Sequence, residues 1–139
     1  MANVCVYEND EEGIKCVYKN DKWLVSIKNW KPDNDISGIS HLEIHHESDE
    51  QFILSAGKAI LISADRENCK ITDITLTEME KGKVYNVAKE MWFYSITQKN
   101  TKMMYIQDAS TSMDNSDFIS LSEAQIKFIQ NNAHEIFSK

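Results

Sequence analysis

Arginine is almost missing from this chain: Arg66 is the only one in 139 residues, so the planar fork that grips carboxylates and phosphates in bidentate fashion is nearly unavailable. Glycine is scarce too. Four glycines and no Gly-rich run leave no loop able to cradle phosphate with closely approaching amides. Pro32 is the single proline. The three cysteines, Cys5, Cys16 and Cys69, are scattered, without the paired Cys-x-x-Cys spacing of a zinc or redox motif, and are expected to be buried thiols. No apolar stretch approaches the ~18 residues of a membrane span. Basic charge is also in deficit. A formal net charge of -7 opposes sequence-independent binding to nucleic acid, which needs a surplus of Lys and Arg to displace counterions. The first residues lack a cleavage region and run at once into Glu8, Asp10, Glu11 and Glu12, so no secretory leader is expected and the expected compartment is the cytoplasm.

What is present is strand signal. Residues 1–139 are of a length that suits one domain able to enclose its own core. Val4 to Tyr7 and Ile14 to Tyr18 are rich in β-formers, and the polar run 19–22 supplies a turn before Trp23 to Trp30. That segment alternates in part, Trp23, Val25 and Ile27 against Leu24, Ser26 and Lys28, as a half-buried strand does. Further strands are expected at His41–His46, Glu50–Leu54, Lys58–Ser63, Ile71–Thr77, Lys83–Val87, Trp92–Thr97 and Met103–Gln107. Short strands at regular spacing without helical pattern between them predict a sandwich or barrel over about 4–108. Met103, Met104 and Met113 are expected to plug core gaps.

The C-terminal end changes period. Ser122 followed by Gln125 is a capping-box signature, and Ile126, Ile129, Ala133, Ile136 and Phe137 recur at helical spacing, which predicts one amphipathic helix over about 122–138. Its apolar stripe suits packing on the barrel or on a partner, and with Glu123 and Glu135 it does not suit a membrane surface.

The stretch from Gly38 to Gly57 is the most informative: Gly38, then His45-His46, then Glu50, then Gly57. Residues two apart on a strand point the same way, and the tight acidic turn at Glu47-Ser48-Asp49 returns Glu50 beside them from the next strand. This spacing resembles the first motif of the cupin superfamily, in which a glycine precedes a His-x-His pair, followed by a Glu and a second glycine. Two registers are open. If His46 is the second His, the first position holds Ile44, which cannot bind a metal; if His45 takes that place, Glu43 precedes it. The run Glu43-x-His45 before Glu50 also resembles small single-domain cupins with a Glu-x-His, which favours Glu43, His45 and Glu50. The second cupin motif is matched in length by Gly82 to Phe93, with Ala88 for its Pro, Glu90 for its Gly and Phe93 for its His.

The resemblance implies an all-β, cupin-type (jelly-roll, double-stranded β-helix) barrel with one C-terminal α-helix, a homodimer, and a small-molecule ligand of polar or sugar-like character. Glu43, His45, His46, Glu50, Tyr85 and Phe93 are the ligand-binding candidates, and Trp92 and Tyr94 join the aromatics of the mouth or inner wall. A divalent metal would have only His45, Glu50 and Glu43 to hold it, because the second-motif imidazole is gone. Two functions fit: a binding barrel that needs no metal, or a lyase, isomerase or epimerase acting on a carbohydrate-like substrate through a Glu/His pair, with or without a metal. No Ser/His/Asp nucleophile pattern or His-Glu-x-x-His helix competes with them.

Overall fold

A computed structural model describes residues 3–67 and 70–139. Ten strands pair antiparallel into two five-stranded sheets. Strand β1 (Ile14–Lys19) turns into β2 (Trp23–Asn29) where Asn20 Oδ1 accepts from the amides of Lys22 and Trp23, the local bond that makes asparagine a turn residue. Chain order continues with β3 (His41–His45), β4 (Glu50–Ala56), β5 (Ala59–Glu67), β6 (Lys70–Glu78), β7 (Val84–Val87), β8 (Trp92–Thr97), β9 (Lys102–Asp108) and β10 (Ser116–Ser120). One sheet runs β1-β2-β9-β4-β7 and the other β10-β3-β8-β5-β6, so apart from the β1–β2 and β5–β6 hairpins neighbours in sequence lie in opposite sheets and the chain winds between them. The helix α1 (Glu123–Phe137) follows, opened by a Ser122/Gln125 capping box.

Period-2 alternation divides the apolar side chains into two cores. Ile60, Ile62, Leu42, Ile44 and Ile96 point out of the second sheet and are covered by Ile129 and Ala133 of α1, all fully buried. Between the sheets lie Phe52, Leu54, Leu61, Phe93, Met103 and Tyr105. The helix therefore packs its stripe on its own barrel, and Gln130 Nε2 ties it further by donating to the Ile36 carbonyl at 3.0 Å.

Several expectations are corrected. Val4 to Tyr7 forms no strand and leaves Val4 and Val6 exposed, because no neighbouring strand pairs with it among the described residues. Cys5 and Cys16 are exposed rather than buried, Cys16 lying on the edge strand β1 with one sheet neighbour. Cys69 lies outside the described residues. Met113 is exposed in a short 3-10 turn and plugs nothing, whereas Met103 is fully buried. Strand β10 follows that turn, beyond residue 108 where the sequence signal faded.

Candidate functional site

Strand β3 puts Leu42 and Ile44 under the helix, so by parity Glu43 and His45 face the space between the sheets. The turn after β3 returns the chain as β4, whose Glu50, Phe52 and Leu54 face the same space. His45 Nε2 and Glu50 Oε2 come within 3.1 Å, with Glu50 almost wholly buried. Their alignment is too poor for a good hydrogen bond, so among the described residues this oxygen has a charge neighbour but no hydrogen-bond donor.

The other nitrogen of His45 is committed. Ser116, its register partner on β10, places Oγ 2.7 Å from Nδ1, and that hydroxyl spends its own hydrogen on the Ser112 carbonyl at 2.7 Å. Ser116 Oγ must accept from Nδ1–H, which leaves Nε2 to carry the exchangeable proton opposite Glu50. Burial works against the imidazolium, and Glu50 followed by Glu43 outweighs it, raising the His45 pKa. Glu43 is itself pushed up, first by burial and with Glu50 adding repulsion, against the pull of His45 and Lys28.

Lys28 completes the cluster and was not among the sequence candidates. It pairs with Met103 across β2 and β9, and the inward face of β2 is Leu24, Ser26 and Lys28, not the face of Trp23. Lys28 is 7% exposed, with Nζ 5.6 Å from the Tyr94 ring centre and 5.8 Å from that of Tyr105. Burial, then the Lys31 ammonium, lowers its pKa from 10.5 to about 7 against the opposing pull of Glu43, Glu50 and Asp33. Parity along β2 was the available signal; which parity is inward needed the second sheet. For Ser116 there was none, because its strand lay past the recognised pattern.

The remaining candidates do not join the cluster through polar groups. His46 points outside, its Nδ1 2.9 Å from Glu90 and its Nε2 2.7 Å from Asp117, and those two hydrogen bonds raise its pKa. Glu90 also pairs with Arg66 at 3.0 Å and adopts φ 68°, the left-handed conformation that explains a glycine at that place in the second motif. The Tyr85 hydroxyl is spent on the Glu80 amide at 2.8 Å. Phe93 lies inside, opposite Glu43 in register, its ring 5.3 Å from that of His45 and 5.7 Å from that of Phe52. Trp92 turns to the helix-side core.

This donor set does not fit a resident divalent metal. Among the described residues no three His, Cys, Asp or Glu side chains are grouped to hold one, Phe93 offers no electron pair where the motif has an imidazole, and Lys28 brings a cation. The orphaned Glu50 oxygen and the free Nε2 of His45 suit proton exchange with an organic ligand.

This winding of two antiparallel sheets, capped by a C-terminal helix, is the cupin double-stranded β-helix. The solved structures it resembles include the capsular polysaccharide assembling protein CapF of Staphylococcus aureus, at 18% identity and TM-score 0.58 over 84% of this chain and 34% of that one. An RmlC-like cupin of Methanocaldococcus jannaschii matches at 11% identity and TM-score 0.54, over 78% of this chain and 93% of that one. A Streptomyces protein solved with uridine matches at 7% identity and TM-score 0.56, over 88% and 97%. The chain thus spans about a third of the length of CapF. No family model and no curated protein matches the sequence. No helix among the described residues is long and apolar enough to cross a membrane.

Proposed function

We propose that the space between the sheets takes a small, polar, carbohydrate-like molecule and carries out proton transfer on it, as a lyase, isomerase or epimerase does. The observation that carries this reading is the His45–Glu50 pair: a buried carboxylate 3.1 Å from an imidazole whose other nitrogen is fixed by Ser116. Such a pair holds its mobile proton at Nε2 and can pass it at neutral pH. Ionisable groups in an apolar interior are costly to keep, and Lys28, Glu43, His45 and Glu50 gather there from three strands. The names of similar structures, one concerned with capsular polysaccharide and one solved with uridine, add weight to a sugar-like ligand.

The test is uptake of solvent deuterium at carbon by a panel of keto-sugars, aldo-sugars and uronates, followed by NMR. Enzyme-dependent exchange that vanishes in Glu50→Gln supports the proposal; unchanged exchange in that folded variant removes Glu50 from it.

A second reading is a binding barrel without turnover. What favours it is Phe93, which stands where the second motif has an imidazole and puts an apolar ring 5.3 Å from that of His45. Saturable binding of a panel member with no exchange under any condition would favour it.

A further inference from the structure

Among the described residues Lys28 takes part in no ion pair, and its ammonium meets only two aromatic rings. Its Nζ has no carboxylate within salt-bridge distance among the described residues, although Glu43 and Glu50 are near enough to act on its charge. The ammonium of a structural lysine snorkels to water or finds a carboxylate. The Lys28 Nζ lies 5.6 Å from the Tyr94 ring centre and 5.8 Å from that of Tyr105, on the face shared with Ser26 and Met103. Keeping an amine there is expensive for the fold and is the arrangement that makes an amine nucleophilic.

We infer that Lys28 is a reactive amine whose Nζ condenses with the carbonyl carbon of a small hydroxyl-bearing aldehyde or ketone. The neutral amine adds to the carbonyl, forming the C–N bond, and a proton passes from nitrogen to the new alkoxide. The Glu43 carboxyl, held protonated to higher pH by burial, then protonates the hydroxyl; the C–O bond breaks and water leaves. The product is a protonated imine with the Glu43 carboxylate as counter-ion. No oxidant or reductant enters the step. The inference deepens the proposed function by naming a carbonyl substrate, and it rests on the interior being the ligand site.

Brief exposure of the whole protein to dihydroxyacetone with borohydride, followed by site-resolved mass mapping, tests it. At pH 7 the reduced adduct at Lys28 is expected to form at least about tenfold faster than at any other lysine, because an ordinary lysine is almost wholly protonated there. Its rate is expected to level off above about pH 7, set by Lys31, Asp33, Glu43 and Glu50 around it and by Tyr94 and Tyr105 against it, while the other lysines keep gaining. Lys28→Arg should lose only this adduct. Labelling at Lys28 no faster than at other lysines from pH 6 to 9 in the wild-type protein overturns the inference. Unselective labelling together with Glu50-dependent deuterium exchange overturns the imine and leaves the proton-transfer reading standing.

Discussion

Glu50 and Gln107 are direct register partners on β4 and β9, both on the face between the sheets, and each holds a buried side-chain oxygen with no hydrogen-bond donor among the described residues. Two acceptors brought together without donors are a cost the fold bears at this spot. Hydroxyl groups of a ligand would relieve it, as proton donors to both.

The substitution Glu50→Gln follows from that pairing. It removes a buried charge and supplies an amide donor, which His45 Nε2 can accept once the imidazole is neutral. Measured at a pH above the raised His45 pKa, where that pair no longer contributes, the variant is expected to gain about 1 kcal/mol in denaturant unfolding while losing solvent exchange into sugars. A variant that is less stable than wild type would show the charge pair to be structural.

Lys28 and His45 should pull stability in opposite directions with pH. Between about 7 and 10.5 the folded protein binds fewer protons at Lys28 than the unfolded chain, so stability rises across that window. His45 has a folded pKa above 6.5; its contribution is complete below 6.5 and is lost as pH climbs through the raised value. Lys28→Met is expected to raise stability at pH 7 by at least about 1 kcal/mol, since it removes an amine whose charged form burial disfavours. It should also abolish the alkaline rise, leaving only the downward trend. Unfolding curves taken from pH 6 to 10 on both proteins check this, and an unchanged slope in the variant would refute it.

The two motif glycines should be intolerant for steric reasons. A Cβ on Gly38 would stand 2.0 Å from the Pro32 carbonyl oxygen, and one on Gly57, at φ 75°, would stand 2.8 Å from the Asn100 oxygen. Each Gly→Ala change is expected to cost at least about 1–3 kcal/mol in thermal or denaturant unfolding. At Gly82, where φ is 82° but nothing lies within 4 Å of a Cβ, the cost is backbone strain alone and should be smaller.

Much of the architecture was legible before any coordinates. Alternating apolar residues, Asn-rich turns and one capped helical stripe are local signals, since each element is shaped mainly by its own residues and its next few neighbours. Nine of the ten strands and the helix are where those signals put them, and only β10 is not. The Gly38-to-Gly57 spacing likewise fixed which segment would carry His45, His46 and Glu50, because a two-residue period and a tight turn are properties of the chain itself. Parity is not. One register makes His45 face Glu50 and turns His46 out to Glu90 and Asp117, and only the helix covering Leu42 and Ile44 decides between them. The same choice carried Lys28 inward toward two tyrosines, and pairing with β10 brought Ser116 to His45 from 71 residues away. Which face of a strand meets water depends on what the rest of the molecule stacks against it, and that is a property of the folded whole.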